Sequence, residues 1–303
     1  MQSLFAAAAM ATRGGRFAEA EAAYRAWMEA APHDPFPRYS LAVLLLGRGA
    51  YEEGGRLYEC RSEVPETGVR KPKLSFPEWS GEPVTSLLLW PEQGLGDQIM
   101  FARYVPELVA RGIDVSLLCP PPLLPLFETF GVPLIAASGE VSIPRREAWC
   151  LVGSLPHLTG PLPSGRYLPA PDEGTGIGVM VRGNPRHPND ANRSLPPIEA
   201  ERLLALGQDL HPAATGASNF RDTAALVAGL GLVITVDTAI AHLAGAMGKP
   251  VWVLLPYIAD WRWGRWGERS LWYPSARLFR QPSPGDWRTV LDEVIATSAA
   301  IVS

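Results

Sequence analysis

Leu230-Gly231-Leu232-Val233-Ile234-Thr235-Val236-Asp237-Thr238-Ala239-Ile240-Ala241-His242-Leu243-Ala244-Gly245-Ala246-Met247 decides the fold class. Leu230–Val236 is a continuous apolar run of strand length, rich in β-branched residues, as expected of a strand buried on both faces. The chain then turns straight into a small-residue helix over Ala239–Met247. Backbone N–H groups at Thr238 and Ala239, with the helix dipole behind them, make a ready anion site. Asp237 suits either a helix cap or a contact to a ribose hydroxyl. Thr238 and His242 are four residues apart and share a face. A hydrogen-bonded core role is the default for a histidine, but the position of His242 beside the anion site favours a functional one.

The same grammar extends in both directions. Val251–Leu255 reads as a strand and Trp287–Ala300 as the closing helix, while upstream Gly176–Val181 is a strand and Pro197–Leu206 a helix. An earlier unit starts with a strand at Thr85–Trp90. Pro91-Glu92-Gln93-Gly94-Leu95-Gly96-Asp97 turns the chain, and Gln98–Ala110 shows helical spacing. Ile113–Cys119 is a second strand, followed by a helix over Pro122–Phe130 and short apolar segments at Pro133–Ala136 and Trp149–Val152. Strands alternating with helices imply an α/β protein with parallel sheets and ligands at the carboxyl ends of strands. Two such units in tandem imply a cleft between them. Proline-rich stretches at 65–83 and Pro161–Pro171 read as linkers, the first one packed because it carries Phe76 and Trp79.

Three further stretches carry candidate chemistry. Gly94-Leu95-Gly96-Asp97 follows a strand and opens a helix, yet it is no dinucleotide fingerprint, because Ile99 stands where the third glycine belongs. Asp97 fits a stabilising charge at a helix terminus or a general base facing the cleft. The polar loop Arg182-Gly183-Asn184-Pro185-Arg186-His187-Pro188-Asn189-Asp190-Ala191-Asn192-Arg193-Ser194 leaves a strand at its carboxyl end, where clustered arginines suit a diphosphate. Trp261-Arg262-Trp263-Gly264-Arg265-Trp266, followed by Trp272-Tyr273, offers faces that stack on bases or sugars, and core packing suits some of them equally well.

Residues 1–68 repeat with a shift of 34: Ala8 falls on Ala42, Gly15 on Gly49, Phe17 on Tyr51, Glu19 on Glu53, Ala20 on Gly54 and Tyr24 on Tyr58. This pattern resembles the tetratricopeptide repeat, whose paired helices need small residues where they cross. Gly54 and Gly55 depart from it, each weakening a helix by about 1 kcal/mol relative to Ala. Two repeats do not bury a solenoid core alone, so they are expected to lean on the next domain or to continue in a partner.

Composition narrows the function classes. In 303 residues, 47% are hydrophobic and 19% charged, which excludes wholesale disorder. A net charge of −4 gives no electrostatic footprint for nucleic acid. Cys60, Cys119 and Cys150 are too far apart for a disulfide framework or a zinc site, which suits a reducing compartment. No stretch approaches the ~20 apolar residues of a membrane span. The alanine-rich run Ser3–Ala11 has no positive charge before it and continues a helical pattern, so it reads as a helix rather than a secretion signal. A cytoplasmic protein is therefore expected. There is no Asp-x-Asp, P-loop, Gly-x-Ser-x-Gly or His-Glu-x-x-His, and nothing shows metal-ligand spacing.

Taken together, Asp237-Thr238-Ala239-x-Ala241-His242-Leu243-Ala244 with Gly248-Lys249-Pro250 resembles the nucleotide-sugar motif of the heptosyltransferase family, glycosyltransferase family 9. Gly94-x-Gly96-Asp97 resembles that family's glycine–aspartate turn. The whole chain is similar to bacterial proteins that place tetratricopeptide repeats before such a domain, in which Gly183-Asn184-Pro185-x-His187-x-Asn189-Asp190-x-x-Arg193-Ser194-Leu195 and Asp260-Trp261-Arg262-Trp263 recur. The resemblance implies a GT-B fold of two Rossmann-like halves and metal-independent glycosyl transfer with inversion. The implied division is repeats at 1–68, a linker at 69–83, an acceptor-side half at 84–165 and a nucleotide-sugar half at 166–303. Asp97 would be the base. Asp237, Thr238, Ala239, His242, Arg193, Asn184 and Gly183 would serve the donor. Gly94, Gly96, Gln98, His187, Asp190, Trp261 and Trp263 are candidate substrate contacts. No metal or cofactor is implied beyond the nucleotide-sugar co-substrate. Two features depart from the pattern: residues 84–160 are short for an acceptor half, and Arg182 stands where relatives often carry an aromatic residue.

The expected function is transfer of a sugar from a nucleotide sugar to an acceptor, a protein or peptide recruited by the repeats. Its rival is a non-catalytic scaffold that keeps a degenerate sugar-nucleotide fold. The shortened first half supports the scaffold; the joint presence of Asp97, His242 and Arg193 opposes it, since a binder needs no base. An NAD enzyme is disfavoured by the missing glycine.

Overall fold

The first four helices are α1 (Gln2–Arg13), α2 (Phe17–Ala30), α3 (Pro35–Gly47) and α4 (Tyr51–Tyr58). They form two successive helical hairpins, with α2 packed against α3. Gly15 and Gly49 turn the two hairpins at φ of 69° and 88°, a left-handed backbone that costs glycine nothing. Ala8, Ala20, Ala42 and Gly54 are buried where helices cross. A Cβ on Gly54 would come within 3.0 Å of the Leu46 backbone nitrogen. The computed structural model describes residues 2–92, 94–160 and 165–302. Gln93 of the first glycine turn and residues 161–164 of the second proline-rich stretch lie outside the described residues.

Two parallel sheets follow. The first contains β1 (Ser86–Trp90), β2 (Asp114–Cys119), β3 (Leu134–Ala136) and β4 (Ala148–Leu151) in the order β3-β2-β1-β4. Its helices are α5 (Leu95–Phe101), α6 (Tyr104–Ala110), α7 (Leu124–Phe127) and α8 (Leu155–Thr159). The second sheet contains β5 (Ile177–Met180), β6 (Gln208–Asp209), β7 (Leu232–Val236), β8 (Val251–Leu255) and β9 (Ala276–Arg280) in the order β6-β5-β7-β8-β9. Helices α9 (Asp190–Arg193), α10 (Pro197–Leu204), α11 (Pro212–Thr215), α12 (Phe220–Ala228), α13 (Ala239–Ala246) and α14 (Trp287–Val302) accompany it. Every residue of β7 and β8 is buried, because helices cover both faces of a parallel sheet. No described helix is long and apolar enough to cross a membrane.

The single helix expected over Gln98–Ala110 is two helices. Pro106 has no N–H to donate within it. At the break, the Arg103 side chain turns inward to donate to the Met100 carbonyl (2.9 Å) and the Trp272 carbonyl (2.8 Å). The helix expected over Pro122–Phe130 is one α-turn between two 3-10 turns.

The first proline-rich stretch and the described residues 165–171 of the second are packed. Residues 77–79 add to the free edge of β4: Trp79 N donates to Trp149 O at 2.7 Å and Trp149 N to Pro77 O at 3.0 Å. In the second, Tyr167 and Leu168 donate backbone N–H groups to Ala246 O (3.0 and 3.1 Å), while the Tyr167 hydroxyl donates to Ile99 O at 2.8 Å. The helical hairpins lean on the second sheet's connections. Tyr58 meets Trp261 edge-on at 5.7 Å, and the Arg265 guanidinium lies over Phe17 at 4.6 Å. One apolar core therefore runs from Ala42 and Tyr58, through the first sheet, to α13 and Trp261.

Candidate active site

Strands β1 and β7 each release a helix at their carboxyl ends, and those helices, α5 and α13, pack against one another. The seam is tight because small residues line it. A Cβ on Gly96 would sit 2.7 Å from His242 Cδ2 and 3.4 Å from Ala239 Cα. Gly94, by contrast, is open, its nearest neighbour being Asp97 Oδ2 at 3.8 Å. Asp97 lies in the first turn of α5, and its Oδ2 accepts from Gly94 N at 3.2 Å.

On α13 the cap is Thr238, not Asp237. The Thr238 hydroxyl accepts from Ile240 N at 3.2 Å and lies 3.1 Å from the Thr235 hydroxyl. Asp237 is drawn elsewhere, because its Oδ1 accepts from Trp263 Nε1 at 2.8 Å. Burial and the neighbouring Asp260 charge push the Asp237 carboxyl upward.

A cation joins the two sheet units. Arg262, in the 3-10 turn Trp261–Trp263 after β8, places its Nε 2.5 Å from Asp97 Oδ1 and donates from its terminal nitrogen to Asp260 Oδ1 at 2.8 Å. Its guanidinium also lies over the Trp261 ring, 4.8 Å from the centroid. Burial pushes the Asp97 carboxyl up, the Asp260 charge adds to this, and Arg262 opposes it. Asp260 falls below the usual range: burial would raise it, but Arg262 more than offsets burial. Tyr39 of α3 stacks on Tyr58 at 5.8 Å, Tyr58 meets Trp261, and α3 packs against the Trp261–Trp263 turn, so the helical hairpins border this cluster.

The loop after β5 folds back onto the start of α13. Arg193 donates to the Asp237 carbonyl at 3.0 Å and to Asp190 Oδ1 at 3.2 Å. Gly183 backs onto that pair: a Cβ there would lie 2.5 Å from Asp190 Oδ1 and 2.6 Å from an Arg193 terminal nitrogen. Its N–H donates to the Ser194 hydroxyl at 2.9 Å. Asn184 and His187 are exposed and shape the loop, Asn184 Oδ1 accepting from Arg186 N and His187 Nδ1 from Asn189 N. Partial desolvation of the ring within the loop, and then the Arg193 charge, lower the His187 pKa.

His242 is a neutral member of the seam. Its Nδ1 lies 3.0 Å from the Tyr273 hydroxyl, and its ring stacks on Trp263 at 5.0 Å. Burial, and then the Arg262 charge, lower its pKa to about 3. Trp261 and Trp263 are both buried, the former against Tyr58 and Trp272. Gln98 is buried too, and its side-chain amide donates to the Glu92 carbonyl. All three side chains are packed inside the protein. Lys249 is likewise structural, donating to Pro171 O (3.2 Å) and Glu173 O (3.1 Å).

The structure thus brings together Asp97, Asp237, Thr238, Ala239, His242, Arg193, Asp190 and Gly183. Arg262 and Asp260 have no role in the sequence reading, although they stand in one of its quoted motifs. The available signal was an arginine between two tryptophans, since a cation among buried rings needs a carboxylate partner.

Residues 194–276 match the profile of glycosyltransferase family 9 (heptosyltransferase). That segment holds Asp237, Thr238, Ala239, His242, Asp260 and Arg262, but neither Asp97 nor Arg193. The match supports a glycosyltransferase. Over an alignment of 344 residues the chain is 27% identical to Protein FlbA of Caulobacter vibrioides, covering 91% of this chain and 57% of that protein. The chain therefore spans a little over half the length of this relative. Two crystal structures are similar at a TM-score of 0.47 each. One is the iron-containing dodecameric glycosyltransferase TibC of enterotoxigenic E. coli, at 10% identity over 72% of this chain and 67% of that one. The other is a glycosyl transferase family 9 protein of Veillonella parvula, at 11% identity over 74% and 98%.

Proposed function

We propose that the chain is an inverting glycosyltransferase that moves a sugar from a nucleotide sugar to an acceptor without a metal. The observation that carries this reading is the joining of a carboxylate from one sheet unit to a cation from the other, beside a helix N-terminus. Asp97 is the base: it takes the proton of the acceptor hydroxyl as that oxygen attacks the anomeric carbon. A carboxyl raised toward neutrality by burial suits that task better than one fully stabilised as its anion. On the opposite side of the sugar, the bond to the donor phosphate breaks. The Ala239 N–H at the start of α13 and the Arg193 guanidinium receive the departing charge, while the Thr238 hydroxyl, which caps Ile240 N, shapes that helix start. Neutral His242 holds α5 against α13 and so sets the distance between base and donor. The Asp237 backbone, fastened by Arg193, carries the donor side.

The acceptor in this reading is a protein or peptide segment bound by the helical hairpins, which border the cluster through Tyr39 and Tyr58. The location is the cytoplasm, where nucleotide sugars are made.

Thermal shift with UDP, ADP, GDP and CMP, each alone and as its sugar conjugates, tests the donor site. A hundredfold excess over the dissociation constant is expected to stabilise the fold by about 2.7 kcal/mol. One responding nucleotide, together with release of that nucleotide on turnover, supports the transferase. A response without turnover in any acceptor extract favours the non-catalytic scaffold, and no response from folded protein overturns the donor site.

A further inference from the structure

The turn that presents Asp97 is held from behind by a residue just beyond the helical hairpins. Arg61 lies in the 3-10 turn Glu59–Glu63, directly after α4. It is fully buried, and its guanidinium grips Glu92 with two bonds, Nε to Oε2 at 2.7 Å and a terminal nitrogen to Oε1 at 2.9 Å. That terminal nitrogen also donates to the Ser154 hydroxyl at 2.8 Å, and the other donates to Glu59 Oε1 at 3.0 Å. Glu92 in turn accepts from Gly153 N at 2.5 Å, so both its carboxylate oxygens are engaged. A Cβ on Gly153 would lie 2.4 Å from Glu92 Oε1, which explains the glycine.

Glu92 stands two residues beyond β1, and its backbone carbonyl accepts from the side chain of Gln98, the residue after Asp97. Glu92 is thus held by Arg61 and Gly153 and tied in turn to Gln98, the neighbour of Asp97. A buried ion pair is a poor source of stability compared with apolar packing of the same volume; here the two-point grip fixes the orientation of the Glu92 carboxylate. Asp97 must meet an acceptor hydroxyl to within a fraction of an ångström, and a displacement of 1 Å far from the chemistry can cost about a hundredfold in rate.

We infer that Arg61 is a positioning residue for the transfer reaction: through Glu92 it sets the turn that presents Asp97. The helical hairpins, through the turn that follows α4, are therefore part of the active site's framework as well as an acceptor platform. The inference rests on Asp97 acting as the base.

The test uses the full chain with two variants. In Arg61→Met/Glu92→Gln, methionine fills the space, the glutamine carbonyl still accepts from Gly153, and Glu59, whose side chain is 31% exposed, keeps solvent and the Ser154 hydroxyl as partners. Arg61→Lys keeps the charge but loses the two-point grip and remains available if the double variant does not fold. Hydrogen exchange of residues 94–101 is read alongside the nucleotide-induced thermal shift and the steady-state kinetics. The expected result is exchange at least tenfold faster over 94–101 and unchanged in the second sheet, donor KM within twofold of the parent, and kcat lower by tenfold or more. Arg61→Lys falls between parent and double variant on each. Unchanged exchange over 94–101, or faster exchange with kcat within twofold, overturns the inference. If the parent protein transfers no sugar, the functional reading fails separately, and exchange over 94–101 alone then decides whether Arg61 sets the turn.

Discussion

Two arginine–carboxylate pairs flank one turn, and they differ in every respect that matters to chemistry. Arg61–Glu92 lies behind the turn, with the two side chains 0% and 2% exposed and every carboxylate oxygen engaged. Arg262–Asp97 lies in front, with side chains 10% and 15% exposed, and the second carboxylate on Arg262, Asp260, is 38% exposed. The first pair has no capacity left for a ligand. The second is reachable, and the pKa values of its carboxyls are driven apart, Asp97 upward and Asp260 downward. Such divergence between neighbouring acids is what separates a proton acceptor from a fixed charge. An ion pair alone therefore says little about function; solvent access and unequal environments say more.

The largest effect expected from breaking the front pair comes from Asp97→Asn. Amide and carboxylate have the same shape, so Gly94 keeps an acceptor, and Arg262 retains Asp260 as its partner. Turnover is expected to fall about 10²–10⁴-fold, with the nucleotide thermal shift unchanged. An Asn variant that turns over at the parent rate shows that Asp97 is an electrostatic neighbour rather than the base.

Arg193→Gln addresses the donor side. Loss of a charge-assisted hydrogen bond is worth about 1.5–3 kcal/mol, so nucleotide affinity is expected to fall roughly tenfold to a hundredfold, with Arg193→Lys intermediate. Titration calorimetry reads this directly. Equal affinity in all three proteins confines Arg193 to bracing Asp190 and the Asp237 carbonyl.

Much of this front was legible in the sequence, because its elements are local. The aliphatic run at 232–236, the threonine after it and the small-residue helix are contiguous, and aliphatic strands with helix starts carry strong short-range signals. The 34-residue shift likewise places Gly15 and Gly49 at equivalent turns of two successive hairpins. What stayed hidden is long-range. Arg61 and Glu92 are 31 residues apart, and Arg103 meets Trp272 across 169 residues. No local period marks either partner. Strand β9 and helix α12 are not among the elements expected from the sequence, although Asn219, which accepts from Arg221 N and Asp222 N, is an ordinary helix cap.

The glycines of the turn sharpen the contrast between its two ends. Gly94→Ala is expected to be nearly neutral, since its Cβ meets only Asp97 Oδ2 at 3.8 Å. Gly96→Ala drives a methyl into His242, which is clamped between Trp263 and Tyr273 and has nowhere to retreat. Overpacking of this kind costs about 1–3 kcal/mol, visible as a fall of a few degrees in Tm, and it spreads α5 from α13. Equal melting temperatures for the two variants refute the tight seam.

The smallest expected change is the most diagnostic of the front pair. Asp97 accepts a proton only when ionised, so kcat/KM rises with pH through the Asp97 pKa. Burial places that limb above the ordinary aspartate value of about 3.9. Arg262 favours the charged form and holds the limb down, so Arg262→Gln is expected to move it to higher pH while leaving much of the rate on the alkaline plateau. The sign matters. If Arg262 instead binds the donor phosphate, its loss lowers the plateau and raises donor KM without moving the limb. A pH–rate profile of the parent and of Arg262→Gln, measured with saturating donor, therefore separates a cation that tunes the base from one that holds the leaving group.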